Sequence, residues 1–166
     1  MNTDIDSLLT SLADQTRTYL DSIGEKSPLI VGIRTGGIWV AEYLHRSLNL
    51  SNTIGILDIS FYRDDFSRLG LNPQVRPSQL PLDITDQNII LVDDILHTGR
   101  TVRAAMNELF DYGRPASVSL AVLIDRGGRE LPISAQMVGD VGELPTHQHV
   151  KLTGPEPLAL EIITTD

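Results

Sequence analysis

An α/β fold, with a central and mostly parallel sheet flanked by helices, is what this chain predicts, and three observations carry that expectation. Leu29 to Ile33, Ile89 to Val92 and Ser117 to Ile124 are short, largely apolar runs without alternation, as expected of strands buried on both faces. Two of the three lead into a glycine-containing turn and then into apolar residues at helical spacing. Strand, turn and helix therefore recur in order, which is the pattern of a parallel sheet wrapped by helices.

The elements follow along the chain. Leu8, Leu9, Leu12, Tyr19, Leu20 and Ile23 keep roughly helical spacing behind candidate caps at Asp4 or Asp6, and Gly24 stops that helix. Leu29 to Ile33 is the first core strand, and Arg34-Thr35-Gly36-Gly37 is a turn into a helix through Ile38, Ala41, Leu44 and Leu48. Ile54 to Ser60 reads as a second strand. Phe61 to Pro81 is a long polar stretch without periodicity, expected to be a flexible loop of the kind that serves as a lid. A strand from Ile89 follows, then a helix with apolar residues at Val102, Ala105, Met106, Leu109 and Phe110, stopped by Gly113 and Pro115. Ser117 to Ile124 and Ile133 to Val138 are expected as later strands, and Val150 to Ile163 as an edge strand around Pro155 and Pro157.

Length and composition narrow the class. At 166 residues the chain is expected to form one domain, residues 1–166, burying about 70% of its unfolded surface. With no cysteine it has neither disulfides nor thiolate ligands, and with no basic and apolar leader a cytoplasmic protein is expected. The longest apolar runs are too short to cross a bilayer. Acids outnumber Lys plus Arg by 22 to 13, a net charge of −9, which opposes binding to nucleic acid through a general basic surface.

Function is concentrated in Asn88-Ile89-Ile90-Leu91-Val92-Asp93-Asp94-Ile95-Leu96-His97-Thr98-Gly99-Arg100-Thr101. Asp93 and Asp94 fall at the carboxyl end of a buried strand, where open α/β sheets bind ligands. Beyond them, Leu96-His97-Thr98-Gly99-Arg100-Thr101 turns into a helix whose free N–H groups and positive dipole end suit a phosphate. Carboxylates repel phosphate but accept hydrogen bonds from vicinal hydroxyls, so the pair fits a ribose whose 5-phosphate lies in the turn. An arbitrary Asp-Asp pair would more often merely solvate a strand end. No Gly-Lys-Ser/Thr follows, which excludes a nucleoside-triphosphate loop of the ATPase or GTPase kind.

Residues 92–101 resemble the phosphoribosyl-pyrophosphate motif of type I phosphoribosyltransferases. Val31-Gly32-Ile33-Arg34-Thr35, Tyr62-Arg63-Asp64-Asp65, Asp83-Ile84-Thr85-Asp86-Gln87, Asp111-Tyr112-Gly113-Arg114-Pro115, Asp125-Arg126-Gly127 and Arg129-Glu130-Leu131-Pro132-Ile133 are similar to a narrower group. That group is the PyrR family of pyrimidine-operon regulators and uracil phosphoribosyltransferases. The resemblance runs from about Leu29 to Val138. It implies a type I phosphoribosyltransferase-like fold with a long flexible loop and a small hood region.

It also implies a site. Asp93, Asp94 and Arg63 would be catalytic, with Arg63 in the long loop beside Tyr62, Arg68 and Arg76; loop charges more commonly serve only solvation. Arg34, Thr35, Gly36 and Gly37 resemble the pyrophosphate loop, where many relatives are expected to carry Arg at position 36. Leu96, His97, Thr98, Gly99, Arg100 and Thr101 would hold the sugar phosphate, with His97 where relatives often carry Tyr. Arg126 and Arg129 would face base or pyrophosphate, with mutual salt bridges as the competing role, and Asp125 would help hold a metal, directly or through water. His147 and His149, without cysteine and in a proline-containing loop, are not read as metal ligands.

The implied reaction joins uracil to phosphoribosyl pyrophosphate, giving UMP and pyrophosphate, with Mg²⁺ as the ion and a homodimer or higher homo-oligomer as the assembly. Two alternatives stand beside it: a UMP-sensing RNA-binding attenuator of pyrimidine genes, and a phosphoribosyltransferase for another base such as hypoxanthine or guanine. RNA-binding members are expected to carry Thr-Arg-x-x-His in the first helix, where this chain has Thr10-Ser11-Leu12-Ala13-Asp14. Gly128 and Ser134 stand where His and Arg are expected. Each lost cation removes a phosphate contact, so RNA affinity is expected to be weak or absent.

Overall fold

A computed structural model describes residues 1, 3–59, 78–81 and 83–165. Helix α1 (Ile5–Ile23) starts behind Asp4 and stops at Gly24, whose φ of 68° is the left-handed conformation that glycine adopts without strain. Its face bearing Leu8, Leu9, Leu12 and Leu20 is almost wholly buried, each side chain contributing about 1.5 to 3 kcal/mol relative to exposure.

Strand β1 (Leu29–Ile33) leads into α2 (Gly36–Ser47), and β2 (Gly55–Leu57) follows. Next come β3 (Asn88–Leu96), α3 (Arg100–Asp111), β4 (Ser117–Asp125) and β5 (Met137–Val141). These five strands form one parallel sheet in the order β2-β1-β3-β4-β5. Helices α1 and α2 share one core cluster with Ile30, Ile90, Val92 and Leu123. On the other cluster, Val102, Ala105 and Leu109 of α3 join Val31, Leu91 and Val122. Because consecutive strands lie within two-sided cores, they read as unbroken apolar runs in the sequence.

Several boundaries differ from expectation. β2 is shorter than Ile54 to Ser60, and residues 60–77, which hold Arg63, Arg68, Arg76 and most of the expected loop, lie outside the described residues. β5 begins at Met137 and not at Ile133, whose N–H donates to Leu131 O and whose carbonyl accepts from Arg129 Nε, so its backbone groups are engaged outside the ladder. Phe110 stands 56% exposed, off the buried stripe of α3. Val150 to Ile163 is not one edge strand. It is most of an antiparallel hairpin, β6 (Gln148–Thr153) and β7 (Ala159–Thr164), separate from the main sheet and packed on it through Val150 and Leu152.

Among the described residues, no helix is long and apolar enough to cross a membrane.

Candidate functional site

In this strand order β1 and β3 are neighbours whose chains leave in opposite directions, β1 toward β2 and β3 toward β4, so the crevice beyond their carboxyl ends is the topological switch point. The register shows how the crevice opens. β1 follows β3 only as far as Gly32 against Val92, whereas β4 follows it on to Leu96 against Asp125. The expected strand end at Val92 is therefore an end only on the β1 side. Asp93 and Asp94 project from a strand still tethered to β4 while β1 has turned away into α2.

Asp93 is 2% exposed and Asp94 partly exposed. Asp93 Oδ1 accepts the Asp94 N–H at 3.0 Å, and Asp94 Oδ1 accepts the Ile95 N–H at 2.9 Å. Both line a cleft of about 270 Å³ together with Leu96, His97, Thr98, Gly99, Thr101 and Arg126. Ile95 and Val102, which sequence reasoning did not single out, line it too.

The turn expected to take a phosphate is built on Gly99, the N-cap of α3, with φ 91°. A β-carbon there would also lie 3.0 Å from Ile133 Cγ1. Gly99 offers no capping side chain and no acid sits in the first turn of α3, while Thr98 Oγ1 accepts the Arg100 N–H at 3.2 Å. The turn is braced from outside by the segment after β4. Thr98 O accepts the Glu130 and Leu131 N–H groups at 3.0 and 3.2 Å, His97 Nδ1 is 2.9 Å from Gly127 O, and Arg100 Nε meets Glu130 Oε2 at 2.7 Å. A preformed anion cradle requires such bracing, since backbone N–H groups must already point at the ligand.

Arg34 to Gly37 do not line this cleft; they adjoin it through Gly36 and Gly37, which pack on Asp94 and on the backbone of Val92 and Asp93. A β-carbon on Gly36 would come within 2.2 Å of Asp94 Oδ2, so any side chain at this position requires the Asp94 carboxylate to turn. The Arg34–Thr35 peptide is cis, Thr35 is exposed, and Arg34 Nε lies 3.4 Å from Asp58 Oδ2. Asp58 was not legible as a partner, because only the placement of β2 beside β1 brings it there.

The two later arginines differ in role. Arg126 lines the cleft and reaches the hairpin, donating to His149 Nδ1 at 3.1 Å and to Gln148 O at 3.2 Å. Arg129 points into the protein: it bonds His97 O at 2.7 Å, Ile133 O at 2.9 Å and the Asp125 carboxylate. Here the salt-bridge role expected as the competitor is what the geometry displays. Burial acts to raise the Asp125 carboxyl, but the Arg129 hydrogen bond, the Gly127 N–H at 3.0 Å and the Arg129 charge outweigh it and hold the group below the ordinary aspartate value.

Among the described residues no group of three His, Cys, Asp or Glu gathers to cage a metal ion. Asp93 and Asp94 instead offer hard oxygens inside the cleft, a donor set that fits Mg²⁺ arriving with its own phosphate ligands. Each Asp125 oxygen accepts a hydrogen bond within the protein, one from the Gly127 N–H and one from Arg129.

A parallel sheet with paired carboxylates and a helix N-terminus at its switch point has the chemistry that suits a phosphorylated sugar. The family model described as phosphoribosyl transferase domain matches residues 3–147. A protein of Nitrosococcus oceani named bifunctional protein PyrR is 54% identical over 95% of this chain and 90% of its own length. One of the same name from Pseudomonas aeruginosa is 56% identical over 93% of this chain and 91% of its own. The chain belongs to the phosphoribosyltransferases and, within them, to the PyrR family. Solved structures share the fold. A hypoxanthine-guanine phosphoribosyltransferase from Bacillus anthracis has a TM-score of 0.67 at 20% identity, covering 88% of this chain and 85% of its own. The hypoxanthine phosphoribosyltransferase of Trypanosoma cruzi in complex with IMP has 0.66 at 19%, covering 86% and 76%.

Proposed function

We propose that this chain is a uracil phosphoribosyltransferase, forming UMP and pyrophosphate from uracil and phosphoribosyl pyrophosphate within a PyrR-like regulator. The single observation that carries the reading is the shared cleft: Asp93 and Asp94 line it together with Thr98, Gly99 and Thr101 at the N-terminus of α3. In this reading the turn from Leu96 to Thr101 takes the 5-phosphate, the two carboxylates take the ribose hydroxyls, and Arg34 to Gly37 face the pyrophosphate. Arg126 marks the base end, since it joins the cleft to the hairpin that serves as the hood.

Uracil N1 bonds to the anomeric carbon as the bond to pyrophosphate breaks, with the electron pair leaving on pyrophosphate and the N1 proton lost. Positive character at the anomeric carbon is stabilised by the nearby carboxylates, while the braced turn holds the phosphate end still. Mg²⁺ bound with the substrate would neutralise charge on the leaving pyrophosphate. Arg63 is proposed to contribute from residues outside those described. Arg129 and Asp125 are proposed to brace the turn. Uracil as the base is supported by the family alone, because the cleft residues read the sugar phosphate.

The test is pyrophosphate release from phosphoribosyl pyrophosphate and Mg²⁺ with uracil, cytosine, hypoxanthine, guanine or orotate, alongside the Asp93→Asn, Asp94→Asn double variant. Uracil-dependent release, lost in a variant that still folds, is the expected result. Release with another base instead would overturn the substrate, and undiminished release by the variant would overturn the assignment of the acids.

A further inference from the structure

Asp58 lies just beyond β2, and its side chain is 1% exposed, while that of Arg34 just beyond β1 is 20% exposed. The two belong to the same rung: Ile33 pairs with Leu57, and the Arg34 N–H donates to Leu57 O at 2.9 Å, so the ladder runs on into both residues. Asp58 is itself held from the other side, its N–H donating to Ser78 Oγ at 3.0 Å, and the Ser78 hydroxyl donates in turn to Glu108 on α3. Main-chain bonds thus hold Asp58 in place, and its carboxylate lies within ion-pair range of the Arg34 guanidinium, 3.4 Å from Nε.

A buried ion pair is weak evidence of stabilisation, since apolar residues in its place are often as stable or more so. Its position supplies a better reason. Arg34 is the first residue of the turn whose Gly36 and Gly37 pack on Asp94 and on the backbone of Val92 and Asp93. An unrestrained arginine carries rotamer entropy that an anion would have to overcome on binding. Five N–H donors in a rigid fork let one guanidinium hold a carboxylate and a phosphate oxygen together.

We propose that Asp58 is a positioning residue for pyrophosphate, presetting Arg34 at the switch point before ligand arrives. This rests on the reading above that residues 34–37 face pyrophosphate. It predicts a split between the two halves of the substrate: loss of Asp58 weakens pyrophosphate and spares ribose 5-phosphate, whose turn lies on the far side of β3.

The experiment is calorimetric titration of the full chain with Mg²⁺ and inorganic pyrophosphate, and separately with ribose 5-phosphate, for the wild type and Asp58→Asn. The variant should bind pyrophosphate about tenfold more weakly, with ribose 5-phosphate within about twofold. Equal pyrophosphate affinity, or equal losses for both ligands, overturns the positioning role. A wild type that binds ribose 5-phosphate but no pyrophosphate overturns the reading of the 34–37 turn itself. If Asp58→Asn does not fold, the Arg34 Nε–H resonance of the wild type decides the matter: it should shift on adding pyrophosphate and not on adding ribose 5-phosphate, and the reverse rejects the proposal.

Discussion

Gly37 and Val92 meet backbone to backbone: a β-carbon on Gly37 would lie 2.6 Å from Val92 O, with Asp93 Cα 3.1 Å away. The first turn of α2 therefore rests directly on the strand that carries the two site acids. Gly37→Ala sets two effects against each other. Alanine favours a helix over glycine by about 0.5 to 1 kcal/mol, whereas overpacking against unyielding backbone costs about 1 to 3 kcal/mol. The clash should win. The variant should melt at lower temperature and lose phosphoribosyl transfer, and an unchanged melting temperature in thermal denaturation would show that the contact is looser than described.

His97 and Gly128 compete for one space. A β-carbon on Gly128, whose φ is 75°, would lie 2.6 Å from His97 Cε1. Gly128→Ala should therefore cost about 1 to 2 kcal/mol from the left-handed backbone, with a further loss from displacing the ring. In a His97→Ala background that further loss should vanish, so the two substitutions should be non-additive in urea unfolding. Strict additivity would mean that the ring yields without cost.

The Asp125 carboxyl titrates below its ordinary value in the folded chain. Protons then bind the unfolded state more readily, so its stabilising contribution is fully present above about pH 4 and is lost as pH falls through the lower folded value. Asp125→Asn should differ most from the wild type near neutrality, and the gap should close on acidification. Chemical denaturation at a series of pH values between about 6 and 2.5 checks this. A gap that widens toward acid contradicts the assignment.

RNA binding should be weak. Asp4, Asp6 and Asp14 line a shallow groove on α1 with Thr10 and Ser11, the face where the resemblance places Thr-Arg-x-x-His, and Ser134 is exposed without charge. Three carboxylates repel phosphates where cations would attract them, although Arg17 pairs with Asp14 at 2.9 Å. Filter binding of a pyrimidine-leader stem-loop with UMP at physiological salt should show near-background retention. Tight, UMP-dependent retention would overturn this expectation.

Much of this protein is determined locally and so is legible in the chain alone. The alternation of apolar runs and helical spacing dictates the α/β class, because burial on both faces and on one stripe leave different periods in the sequence. The anion turn is legible for the same reason, since Thr98-Gly99 and the helix after it are contiguous. What depends on separation in sequence belongs to the tertiary structure alone. Only the order β2-β1-β3 brings Asp58 to Arg34, only the hairpin brings His149 to Arg126, and only the packing of the segment after β4 on the turn brings Arg129 to His97 O. A charged side chain in a sequence has no direction, and its partners across the sheet decide whether it faces the ligand or holds the residues that do.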